Sequence, residues 1–462
     1  MTLPPLARTG GYARRAGPVR LVHLGLGNFF RAHQAWYTER ATDAGSWGYA
    51  AFGGRGAELA RALDAQDGLY TLLTRSPTGD TAEVIASISE ARAGADHDAW
   101  LAAVASPHTS VVTVTVTEAG YCRGPGGGLD LTRPDVAADL AGLQAVGGPP
   151  PLTAPGRLVA GMAARRRSEG GPLALVPCDN VPGNGDLARR VVTDLAGLVD
   201  PALAAWIDAS MKVVSTVVDR ITPRAAGPEA SVAAELTGRR DRAPVVTEPF
   251  SEWILAGEFP AGRPRWEDTG AVFTDDVTVY EHRKLWLLNG AHSLLAYAGS
   301  ILGHRTVAEA IGDDLCREWV RQWWAAAAGH LGQPEAGIAA YEEALLRRFA
   351  NGRMHDELSR IAEDGSQKLP IRVLPVLGEA RAAGEAPAAA TRILAAWLCH
   401  LRGRGAPVRD VRADELTPLA SGALPDAARR ILAALDPGLG ADDTVVAMVA
   451  DQCRQLEADG PR

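Results

Sequence analysis

With 462 residues, 47% of them apolar and 22% charged, the chain is long enough for two cores and has the make-up of a globular enzyme. A formal charge of −8 argues against nucleic acid or an anionic membrane as general partners, and no apolar run of the roughly 18 residues needed to span a bilayer occurs. Five scattered cysteines without a C-x-x-C pair argue against a disulfide framework or a closed zinc site, so no metal is expected, and the N-terminus lacks a signal-peptide core, which predicts a cytoplasmic location.

Arg20 to Leu24 reads as a short buried strand, and Gly25-Leu26-Gly27-Asn28-Phe29 as a glycine turn opening a helix. Two glycines there permit a tight turn that brings backbone N–H groups against a pyrophosphate, so Gly25, Gly27, Asn28 and Phe29 form a candidate dinucleotide loop. Phe30 stands where the third glycine of the common fingerprint falls. A helix is expected around Gln34 to Asp43 and a second strand over Trp47 to Gly53. That strand ends without the acid that holds ribose hydroxyls in NAD sites, and Arg55 follows, a residue suited to a 2′-phosphate; NAD and NADP both stay open.

The β-branched run Ser110 to Thr117 predicts a buried strand that delivers Glu118 to its carboxyl edge, where open α/β sheets bind ligands. Leu173 to Pro177 predicts another, leading to Asp179 and Asn180, and Met211 to Val218 a third, closing on Asp219. Arg239-Arg240-Asp241-Arg242 reads as a solvated surface. From Tyr280 helical patterns take over, over Asp314 to Ala328, Ile338 to Phe349, Ala388 to Arg402 and Ala427 to Leu435, with Gly378 to Pro387 as a connection. The expected class is α/β: an N-terminal Rossmann-like, doubly wound sheet domain over 1–278, then a mostly helical C-terminal domain over 279–462.

Tyr280 to Leu295 is apolar nearly all round except for Lys284, Asn289 and His292, which in a regular helix fall at roughly 0°, 140° and 80°. Burial lowers the pKa of an ammonium, so a lysine there suits proton exchange near neutral pH. Farther on, a helix ending near Asp364-Gly365 would set Arg360 and Lys368 on either side of a turn. Two such cations can grip the hydroxyls or carboxylate of a small substrate, or equally decorate a helix C-terminus.

Gly25-x-Gly27-x-Phe29-x-Arg31-x-His33, Thr115-Val116-Thr117-Glu118-x-Gly120-Tyr121, Cys178-Asp179-Asn180, Val218-Asp219-Arg220-Ile221, Lys284-x4-Asn289-x2-His292 and Asp364-Gly365-Ser366-x-Lys368 occur in this order. As an ordered set they resemble the mannitol dehydrogenase family, polyol-specific long-chain dehydrogenases that include mannitol 2-dehydrogenase and fructuronate reductase. The resemblance implies metal-independent hydride transfer between NAD or NADP and C2 of a linear polyol or aldonate, of the D-mannitol/D-fructose or D-mannonate/D-fructuronate kind. It makes Lys284 the catalytic acid and base, Asn180 and Asn289 the amides that hold the developing alkoxide, and His292 the residue that orients substrate. Arg360, Lys368 and Asp219 become substrate-site residues and Glu118 a proton path to solvent. The implied partner is a small polyol or sugar acid, and the implied assembly a monomer. A mannitol 1-phosphate dehydrogenase and a non-catalytic dinucleotide-binding sensor are the competing expectations.

Overall fold

The computed structural model describes residues 3–9, 14–54, 56–124, 126–223, 227–332 and 335–459, and divides into two units, Met1–Thr278 and Val279–Arg462. The first unit carries the strands: β1 (Val19–Leu24), β2 (Gly48–Phe52), β3 (Tyr70–Ser76), β4 (Gly79–Ile85), β5 (Ile88–Arg92), β6 (Val111–Val114), β7 (Leu173–Pro177), β8 (Met211–Val213), β9 (Ser215–Asp219), β10 (Val245–Thr247), β11 (Glu252–Ala256) and β12 (Val272–Phe273). Six of them make one parallel sheet in the order β5-β2-β1-β6-β7-β8. Counted among themselves, these six follow the doubly wound order 3-2-1-4-5-6, which reverses between β1 and β6.

The sheet is buried on both faces because successive side chains of its strands feed different cores. Leu21 of β1 packs with Phe30, Tyr49 and Trp253, whereas Val22 and Leu24 pack with Trp100, Leu158 and Val191 on the other side. A hairpin of β3 and β4 joins β10 in a second sheet, and β9, β11 and β12 make a third.

Several strand expectations change. The run over Met211 to Val218 is two strands: it breaks at Val214, whose N–H bonds the Leu175 carbonyl (2.9 Å), and β9 leaves to pair antiparallel with β11. The strand expected through Thr117 stops at Val114, and Glu118–Tyr121 forms a single 3-10 turn, so Glu118 lies beyond the sheet edge. Asp241, read as part of a solvated run, is buried and accepts from Gln66 Nε2 (2.9 Å), the Thr71 N–H (2.5 Å) and the Ala243 N–H (2.8 Å). Parallel pairing of β10 with β3 places this carboxylate inside, which a local charge pattern does not reveal.

Among its described residues the second unit holds no strand beyond one isolated bridge between Thr306 and Glu357. Helices cover Asp314–Ala328, Glu335–Phe349, Ala388–Leu401 and Leu424–Leu435, as expected. Gly378 lies within the helix Leu374–Ala382, which shortens the expected connection. At Asp364-Gly365 a helix begins rather than ends: Asp364 is left-handed (φ 54°) and Gly365–Arg372 follows as a helix. A side chain at Gly365 would lie 2.4 Å from Tyr297 Oη and 2.5 Å from Trp397 Nε1, so this helix packs too closely for anything but glycine.

The helix that starts at Thr278 is not regular. Between Lys284 and Gly290, and again between Leu295 and Gly299, its turns are closed by i→i+5 bonds. The first widening has a side-chain cause. Trp323 Nε1 donates to the Trp286 carbonyl (2.7 Å) and Trp324 Nε1 to the Leu287 carbonyl (2.8 Å), so side-chain donors enter the backbone ladder from the helix Asp314–Ala328. Gly290 allows the approach, since a Cβ there would lie 2.6 Å from Trp323 Nε1.

Gly290 has ordinary helical dihedrals, so alanine would gain about 1 kcal/mol of helix propensity there. The indole contact reverses that sign: Gly290→Ala is expected to destabilise by about 1–3 kcal/mol, the usual cost of overpacking. A lowered urea midpoint at unchanged m-value is the measurement.

Candidate functional site

In the first unit, the carboxyl ends of β1, β2, β5 and β6 border a groove of about 810 Å³. Leu24 and Gly25 follow β1, Gly53 and Gly54 follow β2, Gly94 and Ala95 follow β5, and Thr115, Val116 and Thr117 follow β6 along its wall. This is the crevice where the strand order reverses, the place where doubly wound sheets take their ligands.

Gly25 is required at the mouth. Its φ is +112° and a side chain would lie 2.1 Å from the Thr115 carbonyl oxygen. The N–H groups of Gly25 and Leu26 both bond the Phe52 carbonyl (3.0 and 2.9 Å), so the donors left for an anion are those of the first helical turn, which have no intrahelical partner. Gly27 opens that turn, with no crowding nearer than 3.5 Å around its missing side chain. The side chains of Asn28 and Phe29 serve the fold: Asn28 Oδ1 accepts from Arg31 Nη2 (2.7 Å), and Phe29 packs against the core. Arg55 lies outside the described residues.

A second layer holds the turn, and sequence reading passed over it. His23, fully buried in β1, bonds Thr113 Oγ1 (2.8 Å) and Thr115 Oγ1 (3.1 Å), and Thr115 Oγ1 donates to the Gly25 carbonyl (2.8 Å). Burial pushes the His23 pKa down to about 3, so the ring is neutral. Arg157, also on the groove wall, carries a buried Nη2 without a hydrogen-bond acceptor and stacks over Trp100 at 5.2 Å. A buried cation left open on a groove wall suits a polyanion.

Asn180 is exposed, three residues past the end of β7, where the Asp179 carboxylate takes the Val181 N–H (3.1 Å) and the Tyr121 hydroxyl. Asp219 is buried at the end of β9. Glu118 is exposed and ion-paired with Arg123 at 2.9 Å; its neighbours Thr117 and Ala119 line the groove, and it does not.

In the second unit, Lys284 is 8% exposed, Asn289 and His292 are half-buried, and the three share the helix widened by the tryptophans. An i→i+5 turn takes more residues than a regular one, so Asn289 comes round closer to the side of Lys284 than the roughly 140° of an α-helix. His292 rests beside Phe349, ring centroids 4.8 Å apart. Arg360 is exposed near the end of the short helix Leu358–Ile361. Lys368 Nζ donates to the carbonyls of Ile361 (3.2 Å) and Glu363, which caps that same helix end, and its pKa is lowered by burial and by Arg372 beside it. Among the described residues, two groups of metal-capable side chains, His304 with Asp313 and Cys316, and Cys399 with Cys453 and Glu457, have donor atoms within 4.8 Å of one another; neither includes a predicted site residue.

A family model described as "Mannitol dehydrogenase Rossmann domain" matches residues 19–268, and one described as "Mannitol dehydrogenase C-terminal domain" matches residues 276–457. A mannitol 2-dehydrogenase of Cereibacter sphaeroides is 36% identical over 400 residues, which covers 85% of this chain and 83% of that one. A D-mannonate oxidoreductase of Escherichia coli (strain K12) is 37% identical over 366 residues, covering 77% and 74%. Among solved structures, the ternary complex of Pseudomonas fluorescens mannitol 2-dehydrogenase with NAD and D-mannitol superposes with a TM-score of 0.82 at 31% identity, over 99% of this chain and 94% of that one.

Because the folded pKa of His23 lies below the usual 6.5, its stabilising contribution is complete above about pH 6.5 and is lost as pH falls toward 3. The slope is about 1.4 kcal/mol per pH unit for one such group. In His23→Gln this proton uptake is absent, so urea unfolding at pH 7.5, 6 and 5 should show the stability gap between wild type and variant narrowing with acid.

Proposed function

The chain belongs to the mannitol dehydrogenase family, and we propose that it is an NAD- or NADP-dependent dehydrogenase that moves a hydride between nicotinamide and C2 of a linear polyol or aldonate. The observation that carries the reading is the buried Lys284, with Asn289 and His292, on the widened helix of the domain that matches the family's C-terminal model. For the cofactor, the support is the groove at the β1/β6 switch point, its obligatory Gly25 and the open Arg157 guanidinium. Gly25, Gly27 and the first-turn N–H groups of Asn28 and Phe29 would hold its phosphates.

When bound, the nicotinamide accepts or gives the hydride. Lys284, as the uncharged amine, takes the hydroxyl proton during oxidation and returns it during reduction, so one proton and one hydride leave the carbinol together. Low exposure keeps bulk water from competing for that proton. Asn289 and Asn180 donate carboxamide N–H bonds to the oxygen as it gains charge, a contribution that grows toward the transition state. His292 orients the substrate hydroxyls. Arg360, Lys368 and Asp219 contact or support the substrate, and Glu118 passes the proton on toward solvent.

Lys284→Ala should lose turnover by about three orders of magnitude or more while still quenching or enhancing bound NADH fluorescence as wild type does. Turnover that survives contradicts the mechanism, and a wild type that binds cofactor but oxidises none of mannitol, mannonate, arabinitol and mannitol 1-phosphate favours a sensor. For the coenzyme, an Arg55 that reads the 2′-phosphate predicts a higher kcat/KM with NADP than with NAD, and a lower ratio in Arg55→Asp.

A further inference from the structure

Three deeply buried guanidinium groups in this chain are satisfied at every nitrogen. Arg165 spreads five bonds of 2.5–3.0 Å over the carbonyls of Val104, Ser106, Thr109, Gly170 and Gly171. Arg31 places Nε, Nη1 and Nη2 on Gly27, Ala243 and Asn28, and Arg220 uses all three on Glu248 and Ala32. Each is a cation made tolerable by a cage of acceptors.

Arg372, like Arg157, lacks such a cage. Its Nη1 donates to Ser293 Oγ (3.2 Å) and reaches the Asn289 carbonyl at 3.5 Å, while its Nε is buried and has no acceptor. Among the described residues no carboxylate pairs with it; the favourable neighbour is the phenol of Tyr297, whose hydroxyl donates to the Ala362 carbonyl (3.1 Å). Lys368, four residues earlier on the same helix, adds a like charge on the same face. A half-buried guanidinium with a buried, unbonded Nε and no carboxylate partner favours a bound anion.

Its location says which anion. Asn289 and Ser293 belong to the helix that bears Lys284 and His292, so Arg372 opens onto the reacting group's own helix. We propose that Arg372 receives the terminal carboxylate of the substrate, which makes the preferred substrate a linear hydroxy acid of the aldonate class and not a neutral polyol. A hydroxyl can fill a hydrogen bond but leaves the positive charge unbalanced, whereas a carboxylate offers two oxygens to the guanidinium fork and one negative charge to its one positive. Lys368 is already committed to two backbone carbonyls, so the site balances a monoanion better than a phosphate dianion.

This assignment rests on the Lys284 reading above. The test is kcat/KM for D-mannonate, D-mannitol and mannitol 1-phosphate in wild type, Arg372→Gln and Arg372→Lys, with NADH-dependent tryptophan fluorescence reporting binding of the acid in the same proteins. Wild type should favour the acid at least tenfold over the polyol. Arg372→Gln should lower the acid-to-polyol ratio by roughly a hundredfold, the scale of one lost charge-assisted fork, with Arg372→Lys between. Should Arg372→Gln fail to fold, the ratio in Arg372→Lys decides, expected to fall roughly tenfold as the fork is lost. A wild-type preference for mannitol or for the phosphate overturns the proposal, and so does an equal fall for acid and polyol, which would mark a purely structural role. If no substrate turns over but the acid still binds in an Arg372-dependent way, the reaction assignment fails and the carboxylate site stands; if neither occurs, both fail.

Discussion

Trp323 and Trp324 stand side by side in one helix and donate to the adjacent carbonyls of Trp286 and Leu287 in another. Each indole has a single donor and is fully buried, so leaving it unpaired would cost about 1–3 kcal/mol; the helix accommodates both by opening its turn. The Leu287 carbonyl takes the Trp324 indole in addition to the Ala291 N–H. From this follow the space occupied at Gly290, the side on which Asn289 emerges relative to Lys284, and the direction of the Asn289 carbonyl that Arg372 and Ser293 address. A widened turn is a strained, local exception to helix geometry, and it falls on the residues that the family resemblance marks for chemistry.

The first unit solves a parallel problem with different means. A glycine turn whose missing side chain would meet the Thr115 carbonyl needs to be held in place, and the holding is done from inside the sheet. His23 stacks on Phe30 with centroids 3.6 Å apart and bonds two threonines, one of which bonds the glycine's own carbonyl. Burial keeps the ring neutral. Cofactor geometry and acid sensitivity are thereby linked through one side chain.

Much of this was legible in the residues themselves. The β-branched and aliphatic runs of β1, β6 and β7 specify buried strands, glycines after β1 specify a turn, and the apolar helix around Lys284 specifies burial, because each of these follows from local periodicity and backbone freedom. Long amphipathic stretches such as Asp314–Ala328 fall where their patterns put them. The ordered motifs were enough to indicate the family, since they depend on residue type and sequence and not on distance.

What the chain alone did not disclose depends on partners far away in sequence. β4 is polar and becomes a strand because β3 pairs along it, Asp241 is buried because Gln66 and Thr71 donate to it, and β9 parts from β8 because β11 offers a better edge. The widened turn at Lys284 needs indoles 37 residues on, and the open cation at Arg372 is recognisable only against the satisfied cages of Arg31, Arg165 and Arg220. Local sequence sets which backbone states and which faces are cheap; whether a buried polar group finds its acceptor is settled by tertiary contacts, and it is those satisfied and unsatisfied groups that shape the site.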